Sequence, residues 1–96
     1  MLEHIKKMAK QIWEELADAQ KYIKCADKWE GSIADMYYDL SVEELGHAER
    51  LHEEGTDYVN DHRSEDANLG IIWDWETEKI KDMMRDVKVM QEMYRK

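Results

Sequence analysis

The sequence predicts an all-α protein, with a long antiparallel helical hairpin followed by a third helix. The 96 residues contain no proline and only four glycines, so helices meet few residues that would break them. Apolar residues make up 43% and charged residues 39%, a balance typical of long amphipathic helices and not of a disordered chain. A chain of this length forms one domain at most, so we expect a single helical domain over 1–96.

The few turn-forming residues divide the chain into three helices. Gly31 predicts the end of the first helix, because glycine readily adopts the left-handed conformation that caps a helix. Ser32 is then expected to cap the second helix. A polar stretch begins at Gly55, and Ser64 marks the start of the third helix. The predicted organisation is a hairpin over 2–54 (helices 2–29 and 32–54), a polar linker over 55–64 and a third helix over 65–94. A frayed continuation of the second helix toward residue 60 is the alternative.

Apolar residues recur along one face of the first helix, and one charged residue interrupts them. Three neighbouring rows form this face: Ile5, Ile12, Ala19 and Ala26; Ala9, Leu16 and Ile23; and Met8, Glu15, Tyr22 and Trp29. Such rows are typical of a helix packed in a bundle. Glu15 is the one charge among them, and burying an ionised carboxylate without a partner costs several kcal/mol.

The second helix carries a similar stripe with two ionisable residues at its centre. The stripe consists of Ile33, Tyr37, Leu40, Glu44, His47 and Leu51. Beside it runs a row of small residues that permits close helix approach, namely Ala34, Ser41, Ala48 and Gly55. Ser41 and Glu44 also fit a capping box that would end the helix at Leu40, but the stripe continues unbroken past them. Glu44 and His47 lie one turn apart on the same face.

The third helix has an apolar face that includes one carboxylate. That face consists of Leu69, Ile72, Trp73, Ile80, Met83, Val87, Met90 and Tyr94. Glu76 falls on it, and we interpret Glu76 as a surface carboxylate, or one favoured by the helix dipole, in preference to an additional ligand. Further apolar residues (Trp75, Met84, Val89 and Met93) widen the face, which indicates contacts beyond the chain's own hairpin.

Glu15 and Glu44 lie at about the same distance from the hairpin turn. Glu15 precedes Glu30 by fifteen residues and Glu44 follows it by fourteen, which is about 21–23 Å of helix on either side. Antiparallel helices with a short connection are neighbours. We therefore expect Glu15, Glu44 and His47 to converge in one layer, where a metal ion would balance the carboxylates. The alternative is a buried Glu44–His47 hydrogen bond with Glu15 reaching solvent.

The Glu-x-x-His spacing is a weak signal by itself, because it occurs twice, at Glu44–His47 and at Glu49–His52. Glu49 is predicted to face away from the stripe, so we interpret the second motif as a coincidence. A histidine on an apolar face is also more often a hydrogen-bonded core residue than a ligand. The metal hypothesis therefore depends on Glu15 lying at the level of the first motif.

One chain supplies half of a dinuclear carboxylate site. Di-iron bundles use a Glu from each of two helices and a Glu-x-x-His from each of the other two, and this chain offers one of each. A second copy would complete a four-helix bundle with four carboxylates, which balance two divalent metal ions. Mixed carboxylate and imidazole ligands suit iron or manganese, and zinc also accepts them. The expected partner is a second copy, in a homodimer or a larger even-numbered oligomer.

Composition excludes several other partners. The formal net charge of −9 argues against binding to a nucleic-acid backbone. No apolar run approaches the about 20 residues of a membrane span, and the first ten residues lack the apolar core of a signal peptide. The single Cys25 cannot form an internal disulfide. We expect a cytoplasmic protein without a nucleic-acid or membrane partner.

Two segments, EELADAQKYIKCA and VEELGHAERLH, resemble the first helical hairpin of the ferritin-like di-iron carboxylate family, which includes rubrerythrin and the encapsulated ferritins. The residues that carry the resemblance are Glu15, Tyr22, Gly31, Glu44, His47 and Ala48. It covers roughly residues 10–52. The resemblance implies that Glu15, Glu44 and His47 are iron ligands at a catalytic site shared between two subunits, with Tyr22 as a hydrogen-bonding group beside them.

Two functions from different classes follow as hypotheses. The first is a ferritin-like protein with two irons per dimer that oxidises Fe(II), in which Glu44 bridges the metals and Glu15 and His47 are terminal ligands. The second is a non-enzymatic oligomerisation or adaptor module, in which a buried polar layer fixes the register of the helices without metal.

Overall fold

Three α-helices account for almost the whole chain. The computed structural model describes residues 1–95, with the side chains of residues 1–94, and the helices are α1 (Leu2–Ala26), α2 (Gly31–His62) and α3 (Ala67–Arg95). No strand occurs in the described part of the chain, so the all-α prediction is confirmed. The hairpin of α1 and α2 forms the largest interface, α3 packs against both, and the longest dimension is 52 Å. None of the described helices is both long and apolar enough to cross a membrane.

The turn between α1 and α2 contains the left-handed glycine that the sequence predicts, but at a different position in the turn. α1 ends at Ala26, three residues before the predicted end. Gly31 has a φ of +64°, in the region that glycine adopts without a steric penalty. It is the first residue of α2, so Glu30 is the N-cap and the predicted cap at Ser32 is wrong.

The polar linker predicted for 55–64 is wrong over most of its length, because α2 continues unbroken to His62. Gly55 is buried, and a Cβ there would overlap the Trp73 indole and lie 2.7 Å from Met8 Sδ. This glycine therefore marks a close approach of three helices instead of a helix end. The actual connection covers only 63–66, where the Asp66 carboxylate accepts a hydrogen bond from the Asn68 backbone N–H at the start of α3.

The core lies between the three helices and uses two of the three predicted rows of α1. Fully buried apolar side chains come from every helix and include Ile5, Ile12, Leu16, Ala19, Ile23, Ala48, Val59, Leu69, Trp73, Ile80 and Val87. A buried polar link crosses it: the Ser41 hydroxyl donates to the Ala19 carbonyl at 2.7 Å, and the Gln91 amide donates to Ser41 Oγ at 2.9 Å. The link joins all three helices and satisfies their buried polar groups.

α3 covers one side of the hairpin and leaves the other side open. On α1 it contacts Trp13, whose side chain points about 160° away from that of Glu15, two residues later. On α2 it contacts Glu49 and His52. The row of Glu15 and the stripe of Glu44 lie on the opposite side. We call this side the open face; it consists of Glu15 and Tyr22 of α1 with Ile33, Met36, Tyr37, Leu40, Glu44, His47, Leu51, Glu54 and Tyr58 of α2.

Candidate metal centre

The three residues that the sequence places at one level lie together in the middle of the open face. One ligand atom from each of Glu15, Glu44 and His47 falls within 4.8 Å of the others. His47 Nδ1 is 3.6 Å from Glu15 Oε2 and 3.5 Å from Glu44 Oε1. Within residues 1–94, no other group of three acidic, histidine or cysteine side chains converges in this way.

Local sequence explains the convergence. Glu44 and His47 are one helical turn apart and therefore share a face of α2. The small, fully buried residues Ala19 and Ala48 bring α1 and α2 close together beside them. Glu15 on α1 can then reach both side chains of the α2 motif.

The site is a shallow one within a single chain. The Glu15 and Glu44 side chains are only 22% and 19% exposed, whereas the His47 side chain is 63% exposed. Within one chain the His47 side chain lies at the surface, because α3 packs on the opposite side of the hairpin. The two carboxylates thus form the floor of the site and the imidazole forms its rim.

The two carboxyl groups perturb each other. The hydrogen bond with Glu15 raises the pKa of Glu44 to about 7, and burial and the negative charge of Glu15 act in the same direction. The charge of His47 opposes this shift. Near neutral pH Glu44 is therefore partly protonated, and a bound cation would displace its proton.

One carboxylate oxygen in the site lacks a partner. Glu15 Oε2 is buried and accepts no hydrogen bond, since His47 Nδ1 at 3.6 Å is too distant. A buried acceptor without a donor is unfavourable, and coordination to a cation would satisfy it. Two carboxylates and an imidazole are also the donor types that iron, manganese and zinc accept, so these residues fit such an ion.

A cavity of about 320 Å³ adjoins the cluster. Its lining residues come from α1 and α2 and are Gln11, Glu15, His47, Arg50, Leu51 and Glu54. The cavity gives a small ligand or an ion access to the carboxylates from the side. Sequence reasoning missed Gln11, Arg50 and Glu54, although Gln11 lies one turn before Glu15 and Arg50 lies one turn after His47.

The second Glu-x-x-His motif is engaged by α3. Glu49 Oε2 is 3.3 Å from Lys88 Nζ, and His52 Nε2 is 2.9 Å from Thr77 Oγ1. The His52 ring also stacks on Trp73, with ring centroids 5.5 Å apart. Burial, followed by the charge of Lys81, lowers the pKa of His52. Both side chains thus have partners that hold α3 in place.

Two other residues singled out in the sequence lie outside the cluster. The Tyr22 ring stacks on Tyr37 with centroids 6.2 Å apart, and the hydrogen bond to a ligand that the resemblance implies is not formed among the described residues. Glu76 accepts a hydrogen bond from the Trp13 indole N–H at 3.1 Å, on the side covered by α3. Glu76 therefore lies outside the cluster, and it links α3 to α1 from the middle of α3 instead of standing at the surface or in the first turn.

Comparison of the chain with protein-family models, with curated proteins and with solved structures finds no match. The assignment of function therefore rests on the geometry of Glu15, Glu44 and His47 and on the open face around them.

Proposed function

We propose that this chain is a ferritin-like metal-binding protein that binds Fe(II) at Glu15, Glu44 and His47 and oxidises it in a homodimer. The observation that carries this proposal is the convergence of the three side chains within 4.8 Å around a buried carboxylate oxygen that has no other partner. Carboxylate oxygens are hard ligands and favour Fe(III) over Fe(II), so this donor set favours oxidation of the bound metal.

A second copy is required because one chain offers too few donors. Three side chains leave an iron ion short of the six ligands that it commonly takes, and His47 stands at an exposed rim. Two copies related by a two-fold axis would form a four-helix bundle with four carboxylates and two imidazoles, the donor set of di-iron bundles. Four carboxylates balance two divalent ions, which removes most of the cost of burying them.

The apolar character of the open face supports the same arrangement. Large apolar side chains lie exposed between the site and the hairpin turn, among them Trp29, Ile33 and Met36. An exposed apolar surface beside a polar centre is typical of a protein interface. Burial of this surface would also shield the site from water and strengthen the bonds of its charged groups.

Iron is the substrate of the proposed reaction. Each of two bound Fe(II) ions loses one electron, and the two electrons reduce O₂ to hydrogen peroxide with uptake of two protons. The chain's own groups hold the two ions side by side: Glu44 is the candidate bridging carboxylate, and Glu15 and His47 are terminal ligands. Binding of the metal expels the proton that Glu44 holds near neutral pH.

Iron binding followed by oxidation tests the proposal. Anaerobic protein receives Fe(II) and is then exposed to air, and the Fe(III) absorbance and bound iron are measured. We expect about one iron per chain, as in a di-iron dimer. Glu44→Ala should abolish both signals, whereas Glu49→Ala, which alters the second Glu-x-x-His motif, should retain them. Iron uptake that is unchanged in Glu44→Ala would contradict the proposal.

A metal-free oligomerisation module is the second candidate function. It is favoured by the raised pKa of Glu44, because a proton on Glu44 lets the two carboxyl groups lie together without a metal. Melting temperatures with and without Fe(II), Mn(II) or Zn(II) separate the two functions. Metal that binds only the folded dimer raises the melting temperature, whereas a purely structural polar layer leaves it unchanged.

A further inference from the structure

We propose that the cavity beside Glu15 and His47 binds inorganic phosphate as a further ligand of the bound metal ion, and that Arg50 recognises this oxyanion. The inference rests on the proposed function, because it names a second ligand of the same metal centre. It uses residues of one chain and needs no particular arrangement of a second copy.

The cavity extends the metal centre in the direction away from the hairpin turn. Glu15 and His47 form one end of its lining. Gln11 precedes Glu15 by four residues on α1, and Arg50 follows His47 by three on α2. Both therefore lie about 4.5–6 Å beyond the cluster, at one level on the two antiparallel helices. A ligand in the cavity would meet the metal ion at one end and these two side chains beside it.

Arg50 is a cation without an acidic partner. Within residues 1–94 it forms no salt bridge, although Glu54 lies four residues later on the same helix, a spacing at which ion pairs are common. By contrast, Arg63 and Arg85 are each paired with an aspartate. The planar guanidinium group offers two parallel N–H donors to the oxygens of a phosphate or carboxylate. Arg50 is thus free to bind an anion that enters the cavity.

The other lining residues favour an oxyanion that carries a proton. The Gln11 amide can donate a hydrogen bond, and Leu51, which packs against the core, provides an apolar wall. The Glu54 carboxylate repels a fully ionised anion but accepts a hydrogen bond from a hydroxyl group. At neutral pH inorganic phosphate retains a P–OH group, whereas sulfate and most of a phosphate monoester are fully ionised.

The charge of the site favours an anion only when metal is bound. In the metal-free chain, Glu15 and Glu54 outnumber Arg50 around the cavity, so an anion is repelled. A divalent ion balances Glu15 and Glu44, while Arg50 balances Glu54. Loss of one electron by each bound iron then leaves one positive charge per chain that these side chains do not compensate. An oxyanion would balance it, and its hard oxygen atoms suit Fe(III).

The metal also has coordination positions for such a ligand. Glu15, Glu44 and His47 provide three side chains, fewer than the six ligands that iron or manganese commonly takes. The cavity of about 320 Å³ leads to the cluster from the side, and it is larger than a phosphate ion. Phosphate oxygen can therefore reach a metal ion held by the three side chains.

Phosphate titration of the Mn(II)-loaded protein tests the inference. Mn(II) accepts the same ligands as Fe(II) and is stable in air, so isothermal titration calorimetry measures binding without oxidation. We expect phosphate to bind about 5–150-fold more tightly to the loaded protein than to the metal-free protein. By reciprocity, saturating phosphate should raise the Mn(II) affinity by the same factor. Equal phosphate affinity with and without Mn(II) overturns the proposal.

Substitution of Arg50 tests the recognition. Because Arg50 is exposed, we expect Arg50→Gln to weaken phosphate binding about tenfold, the lower end of the effect of a charge-assisted hydrogen bond. Arg50→Lys keeps the charge and should restore part of the affinity. Arg85→Gln, which removes an exposed arginine on α3, is the matched control and should bind phosphate as wild type does. Equal phosphate affinity in Arg50→Gln and Arg85→Gln refutes the role of Arg50.

The choice of anion tests Glu54. At pH 7.5 wild-type protein should bind inorganic phosphate more tightly than sulfate or phenyl phosphate, which lack most of the required proton. Glu54→Gln has an amide that can donate to an ionised oxygen, so its preference for phosphate over sulfate should disappear. A wild-type protein that binds all three anions equally contradicts the assignment of a protonated oxyanion.

Mn(II) binding in phosphate-free buffer separates the two proposals. If wild-type protein binds Mn(II) and phosphate changes neither affinity, the metal site stands and the phosphate site is refuted. If wild-type protein binds no Mn(II) and no Fe(II), the metal site is refuted, and the phosphate site that depends on it is refuted as well.

Discussion

α2 carries two Glu-x-x-His motifs that begin five residues apart and have opposite surroundings. Glu44 and His47 lie on the open face and converge with a third ionisable residue, Glu15. Glu49 and His52 lie under α3, where they meet Lys88 and Thr77. The first motif has an unsatisfied acceptor nearby, whereas the second has a cation for its carboxylate and a hydroxyl for its imidazole.

The Glu-x-x-His spacing places the two side chains on one face of the helix and does no more than that. The helices packed nearby determine whether the pair makes packing contacts or forms a candidate metal site. A carboxylate beside a lysine already has a countercharge and has little need of a metal. A carboxylate beside another carboxylate holds a proton or binds a cation. The chain thus uses the same short motif for packing on one side of α2 and, in our proposal, for chemistry on the other.

The largest expected difference between the motifs is in metal affinity. His47→Ala removes a proposed ligand, so we expect Zn(II) or Mn(II) affinity to fall by more than the about 10–100-fold that follows loss of a group supporting a ligand. His52→Ala should leave affinity within about twofold. Isothermal titration calorimetry on metal-free protein measures the affinity of each variant for the metal. Equal losses of affinity in His47→Ala and His52→Ala would show that the two motifs do not differ in metal binding.

Close packing on the covered side predicts the next largest effect. In Gly55→Ala the new methyl group overlaps the Trp73 indole and contacts Met8, so we expect a loss of about 1–3 kcal/mol of unfolding free energy. Gly46→Ala is the matched control. A Cβ there has no neighbour within 4 Å, and the better helix propensity of alanine should stabilise the protein by up to about 1 kcal/mol. Urea unfolding gives both values; a stabilised Gly55→Ala would contradict the close approach.

Metal-free stability should rank the two histidines in the opposite order from metal affinity. His52→Ala loses its contact with Trp73 and leaves Thr77 without a partner, so it should cost about 1–2 kcal/mol. His47→Ala removes an exposed side chain and should remain within about 0.5 kcal/mol of wild type. Thermal unfolding in the presence of a chelator measures the difference. A larger loss in His47→Ala would assign it a structural role.

The smallest expected effect is a pH dependence of the free energy of unfolding that arises from Glu44 on the open face. The pKa of Glu44 is raised in the folded chain from 4.5 to about 7, so the stability gained from its proton is complete below about pH 4.5 and is lost as pH rises to about 7. Glu44→Gln cannot titrate and should lack this component. Urea unfolding of both metal-free proteins between pH 5 and 8 measures this component, and parallel profiles would argue against the raised pKa of Glu44.

Metal affinity should follow the opposite trend with pH. Protons compete with the metal for Glu44, so metal affinity should rise as pH approaches about 7. Isothermal titration calorimetry in the buffers used for unfolding measures the metal affinity at each pH. One protein preparation then gives both the affinity and the free energy of unfolding.

Much of the fold could be predicted because the periodic pattern of the chain is strong. The absence of proline and the rows of α1 predict the helices, and the equal distances of Glu15 and Glu44 from the turn predict their common level. The end of α2 could not be predicted in this way. Gly55 has the appearance of a helix breaker, and only its contact with Trp73, eighteen residues later, explains why the helix continues.

The sequence also could not predict how exposed the site is in the folded chain. The rows of α1 indicate a wide apolar face, but they do not say which part α3 covers. Trp13 and His52 on the covered side, and Tyr22 and Leu51 on the open side, are equally compatible with a core. The side that α3 takes depends on long-range contacts such as Glu76 with Trp13, which no local pattern encodes.

Native mass spectrometry of the protein loaded anaerobically with Fe(II) tests the central claim most directly, because it counts chains and metal ions in one particle. We expect two chains with two iron ions, and metal-free particles when Glu44→Ala is treated in the same way. Single chains without iron, or iron retained at the same stoichiometry by Glu44→Ala, would contradict the assignment of Glu15, Glu44 and His47 as a shared metal site.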